Sequence, residues 1–126
     1  MKIKYSFISE AANVSQSGNL NVLGIFQNIN ATSFPTKFTK MVYVACIEFH
    51  RSESGNHKFK LNFIDDDGKQ VIPVVEGDLY VSEDSNYSNL LLSFENIQFN
   101  SPGTYAMDLL IDNHHISTDI INVYKV

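Results

Sequence analysis

Thr104-Tyr-Ala-Met-Asp-Leu-Leu-Ile-Asp-Asn-His-His-Ile-Ser-Thr-Asp-Ile120 decides the fold class. Its first half alternates. Tyr105, Met107, Leu109 and Ile111 fall on one side of an extended chain, and Ala106, Asp108 and Leu110 on the other. Period two is the signature of a half-buried strand, not of a helix. Asp112-Asn113 then sits where a tight hairpin turns, because Asx residues tolerate positive φ. A last strand follows over about 115–125.

The two adjacent histidines in this stretch look like chemistry, so their geometry matters. On an extended chain His114 and His115 point to opposite faces. The zinc spacings of i, i+4 on a helix or i, i+2 on a strand are absent. A polar hairpin tip is the favoured reading, and no metal is expected. A hydrolase using either histidine with Asp112 or Asp119 is the third-ranked functional class, since it lacks a recognisable nucleophile and metal spacing.

Outward from the hairpin the same periodicity recurs. Phe59, Leu61 and Phe63 share a face opposite Lys58, Lys60 and Asn62; Leu90, Leu92 and Phe94 share another. Met41–Phe49 is apolar on both faces until Glu48, as expected of a central strand covered on both sides. Turn signals separate a first strand (about 3–13), a second (20–30), a third (41–50) and a fourth (57–64). An edge strand containing Pro73 is expected near 70–75, and a further short strand between Glu76-Gly77-Asp78 and Ser82–Asn86. The expected fold is all-β: an immunoglobulin-like antiparallel β-sandwich of seven to nine strands, with residues 1–126 as one domain.

Composition agrees. The chain has 126 residues, 44% hydrophobic and 18% charged, with nine Phe, six Tyr and no Trp. Its net charge is −5. Residues 1–63 carry seven Lys/Arg against three Asp/Glu, and residues 64–126 carry two against eleven. Overall acidity argues against non-specific nucleic-acid binding. No apolar run reaches the roughly 18 residues of a membrane helix, no secretion signal is recognisable, and Cys46 has no partner for an internal disulfide. A cytoplasmic setting is expected.

Other motifs read as structure. Asp65-Asp66-Asp67-Gly68 lacks calcium-loop spacing and reads as a solvated turn with Gly68 at positive φ. Cys46 lies mid-strand as a buried thiol. No nucleophile elbow and no phosphate-binding glycine loop is present, so no enzyme and no cofactor is expected. Lys37, Lys40, His50 and Arg51, interleaved with Phe34 and Phe38, could form an anion or nucleotide site if the loop at 31–40 approaches the hairpin at 50–58. The alternative is that Lys58 and Lys60 line a solvated strand face and Phe34 caps the core.

Two segments carry a resemblance. Gly18-Asn-Leu-Asn-Val-Leu-Gly-Ile-Phe26, followed by Phe34-Pro35, resembles the start of a family of small uncharacterised bacterial and phage proteins. Phe99-Asn-Ser-Pro-Gly-Thr-Tyr105 with Leu109-Leu-Ile-Asp112 is similar to the penultimate-strand pattern of immunoglobulin-like sandwiches, in which Tyr105 would form the tyrosine corner. The resemblance implies fold and supplies no catalytic residues. The functional expectation is a non-enzymatic binding module whose partner is another protein or itself, through the strand Met41–Phe49 or an edge near Val71–Val75. The alternative is a phage counter-defence protein that sequesters an anionic, cyclic nucleotide signal.

Overall fold

Nine strands account for nearly all the regular structure in the computed structural model, which describes residues 1–126. They are β1 (Lys2–Val14), β2 (Leu20–Phe26), β3 (Asn28–Ala31), β4 (Thr36–Glu48), β5 (Gly55–Ile64), β6 (Val75–Val81), β7 (Tyr87–Phe99), β8 (Gly103–Ile111) and β9 (His114–Lys125), with one 3-10 turn at Arg51–Glu53. They form two sheets, in the orders β2-β1-β4-β7 and β3-β9-β8-β5-β6.

The alternation explains the packing. Phe59, Leu61 and Phe63 of β5 and Tyr105, Met107, Leu109 and Ile111 of β8 are buried, and they meet Met41, Tyr43, Ala45 and Ile47 of β4 in one core of 22 residues. Phe34 packs against that core, as its capping reading expects. Every residue of Met41–Ile47 is buried, so β4 is the central strand that its two-faced apolarity implies.

The connections make the sandwich immunoglobulin-like. β4 and β7 pair in one sheet, while β9, β8, β5 and β6 lie side by side in the other, so the chain crosses between sheets at β2–β3, β3–β4, β4–β5, β6–β7 and β7–β8. This is the Greek-key alternation of that fold. Tyr105 opens β8, and its hydroxyl donates to the Ser101 carbonyl at 2.6 Å, closing a tyrosine corner. The β8–β9 hairpin turns on Asp112 (φ 51°) and Asn113 (φ 65°), two successive left-handed residues as a type I′ turn requires.

Four details differ from the sequence reading. The second strand is two strands: the chain leaves the first sheet after Phe26, and β3 pairs in parallel with β9 in the other. Asn122 N–H donates to the Gln27 carbonyl at that crossing. β4 begins at Thr36, because Thr36–Lys40 pair with Glu95–Phe99 of β7, whose Ile97 and Phe99 belong to the core. No separate strand forms before β6 starts at Val75; only a single bridge, Ile64 to Gln70, is made there, and Pro73 has no N–H to extend it. Glu76-Gly77-Asp78 is not a turn but part of β6. Its polar residues face solvent from an edge, and Gly77 leaves room for the Phe59 ring, which would lie 2.7 Å from any added Cβ.

Candidate functional site

The basic residues singled out in the sequence are not brought together. Lys37 and Lys40 are exposed near the start of β4, opposite Gln98 and Glu95. His50 and Arg51 lie just past its other end. Lys40 and Glu48 alone are separated by about 27 Å of extended strand, so within one chain the four cannot share a pocket. His50 and Arg51 line an open depression of about 650 Å³ with Lys2, Glu48 and Asn86. Lys58 and Lys60 occupy a solvated face, paired with Asp78 and Glu76.

The histidine pair behaves as strand geometry requires. His114 lines a shallow hollow with His57, Asp112 and Ile116, whereas His115 points the other way and meets Thr118 Oγ1 at 2.7 Å. No set of three or more His, Cys, Asp or Glu side chains converges as metal ligands would. The carboxylates of Asp65 and Asp66 serve the turns. Asp65 accepts from the N–H groups of Asp67 and Lys69, Asp66 from that of Thr104, and Gly68 takes φ 77°. Burial pushes the Cys46 thiol up, which leaves it a poor nucleophile.

The titrating residue that does find partners is His57, in phase with the buried face of β5. Its Nδ1 lies 2.5 Å from Asp112 Oδ2, and its Nε2 lies 2.5 Å from the Glu53 carbonyl oxygen. Both facing groups are acceptors, so only the imidazolium donates to both. The Asp112 carboxylate first, then the Glu53 carbonyl, hold the His57 pKa above its ordinary value. The same bond, followed by the Lys58 N–H, holds Asp112 below the usual carboxylate range. Glu53 also binds the Met1 ammonium at 2.9 Å. This cluster ties the 3-10 turn, the N-terminus and the β8–β9 hairpin together. Both ring nitrogens are committed, leaving none to act as a general base.

Asp119, which the sequence reading considered only as a partner for a histidine, faces inward. It shares the inward phase of Ser117, Ile121 and Val123, opposite Met107 of β8. Burial raises its pKa, against the lowering effect of the Ser6 hydroxyl. That phase was the available signal.

The outward face of the β2-β1-β4-β7 sheet is apolar around Phe7, Val44 and Leu91 and carries Lys40 and Glu95 towards one end. Residues paired across the strands share a face, which places Ile25 beside Ser9, Leu23 beside Ala11, Phe7 beside Val44, and Val44 beside Leu91. Tyr5 and Phe7 stack at 5.7 Å between ring centroids. Val42, Val44 and Cys46 lie buried at the centre of this face, so β4 itself is not the contact surface that its sequence suggests. The exposed apolar part is at β2, where Leu23 is 70% and Ile25 57% accessible.

The edges of the two sheets differ. In the other sheet β3 has four residues and β6 carries Glu76 and Asp78, devices that discourage strand addition. β2 (LNVLGIF) and the first eight residues of β7 (YSNLLLSF) hold no charge and no proline.

No helix is long and apolar enough to cross a membrane. Comparison with curated proteins finds no match. Among solved structures, an immunoglobulin-like protein from Pseudomonas aeruginosa is similar at 9% identity, over 98% of this chain and 95% of that one, with a TM-score of 0.46. A family model covers residues 4–123, nearly the whole chain, and on that match the protein belongs to the family of unknown function DUF6941.

Proposed function

We propose that this chain is a non-enzymatic interaction module that associates with a second copy of itself through the outward face of the β2-β1-β4-β7 sheet. The observation that carries this reading is the exposed pair Leu23 and Ile25, at the rim of a sheet face bounded by β2 and by the uncharged first eight residues of β7. Fully covering one such side chain is worth about 1.5–3 kcal/mol. Surfaces of this kind mark protein contacts more often than catalysis. The cytoplasmic setting, and a bacterial or phage origin, belong to this proposal and rest on the lone thiol and on the sequence resemblance. Sedimentation analysis of the wild type and of Leu23→Lys/Ile25→Lys tests it. A mass above 14.2 kDa that returns to the monomer in the variant supports the reading. A wild type that stays monomeric at high concentration overturns it.

The nucleotide reading retains one supporting observation, the depression that collects His50, Arg51 and Lys2. A thermal-shift series with linear and cyclic nucleotides tests it, since a ligand that binds only the folded state raises stability by mass action. Arg51→Ala should abolish any shift.

A further inference from the structure

The open side of the sandwich between β1 and β9 holds a cleft of about 240 Å³, which neither proposal above uses. Ser6 and Ile8 of β1, Phe26 and Gln27 at the sheet crossing, and Asp119 and Asn122 of β9 line it. One of the lining residues has a buried polar atom that lacks any hydrogen-bond partner, Asp119 Oδ2. Such atoms are uncommon in folded proteins because each carries an uncompensated desolvation cost. Ser6 is held by Ser117 at 2.8 Å.

A second feature adjoins the cleft. β3 pairs only with Asn122–Lys125 of β9, so the flank of β9 from His114 to Ile121 faces no strand. Its outward N–H and C=O groups can accept one.

We propose that this cleft is a binding site for a primary ammonium group, carried on a lysine of an extended segment of another protein that pairs with the free flank of β9. An ammonium has three donors and no acceptor, so it can satisfy Asp119 Oδ2 while donating to other acceptors of the lining, such as the Ser6 hydroxyl. Ile8 and Phe26 give the methylene stem apolar walls. The volume is below the roughly 300–1,000 Å³ of sites for whole small molecules and fits a single side chain. Charge agrees, since β9 belongs to the chain half with two Lys/Arg against eleven Asp/Glu. This site is distinct from the sheet face proposed for self-association, and either can fail alone.

The test is a heteronuclear NMR titration with the capped pentapeptide acetyl-TVKVT-amide and its norleucine counterpart. The lysine peptide should shift the amides of Ile116–Ile121 and Gln27 saturably, with the norleucine peptide at least about tenfold weaker. Asp119→Asn should erase that difference, while Asp108→Asn, on the outer face, should keep it. Equal binding of the two peptides, no saturable shift along β9, or a lysine preference that survives Asp119→Asn overturns the proposal. Should Asp119→Asn fail to fold, the lysine-to-norleucine ratio on the wild-type protein decides alone.

Discussion

Replacing His57 with leucine tests the clamp between the 3-10 turn and the β8–β9 hairpin. Leucine keeps bulk beside Phe49, whose ring lies 5.8 Å from the imidazole, but removes both hydrogen bonds. A hydrogen bond to a charged group contributes about 1.5–3 kcal/mol when buried. Asp112 is 43% exposed and keeps its bond from the Lys58 N–H, so water recovers much of that loss. The net cost of His57→Leu should be about 1–2 kcal/mol at pH 6, after that discount for screening. The pH dependence has a defined sign. The folded pKa of His57 is raised, so its contribution is complete below its ordinary value of 6.5 and fades as pH rises through the folded value. The folded pKa of Asp112 is lowered, so its contribution is complete above 3.8 and fades as pH falls through its own folded value. The pair therefore stabilises most between about pH 4 and 6.5. Urea unfolding of both proteins from pH 5.5 to 8.5 measures it. A wild-type advantage that shrinks with rising pH agrees with the clamp. An advantage that stays flat across that range refutes the imidazolium assignment.

Two further predictions follow from buried groups. Tyr105→Phe removes the bond to the Ser101 carbonyl and should cost about 1 kcal/mol with an unchanged denaturant slope, as read by urea titration. Asp119→Asn should stabilise the free protein near neutral pH. Burial raises the folded pKa of Asp119, so the wild type loses stability as pH rises from 3.8 through the folded value, and the variant does not. Melting curves at pH 4 and pH 8 compare them, and equal melting at both values contradicts a carboxylate whose ionised form is disfavoured by burial.

The strands that the sequence shows clearly are those with one wet and one dry face. β5 and β8 alternate because Lys58 and Asp108 face outward while Phe59 and Leu109 pack inward. β4 is legible for the opposite reason, since neighbouring strands cover both its faces. β6 is misread because Glu76 and Asp78 on an edge strand resemble turn residues. The crossing at Gln27 carries no local mark, because its partner, β9, lies almost a hundred residues away. The basic residues mislead for a simpler reason. Closeness in sequence along a thirteen-residue strand is distance in space, and Lys37 and Arg51 fall at opposite ends. The His114–His115 pair looks chemical but is divided between faces, whereas the clamp joins His57 to Asp112, 55 residues apart.

Sedimentation equilibrium of the wild type beside Leu23→Lys/Ile25→Lys tests the central claim most directly. Self-association through the β2-β1-β4-β7 face predicts a wild-type mass that rises with concentration above 14.2 kDa, and a variant that remains folded and monomeric. A wild type that is monomeric throughout, or a variant that associates as the wild type does, would contradict it.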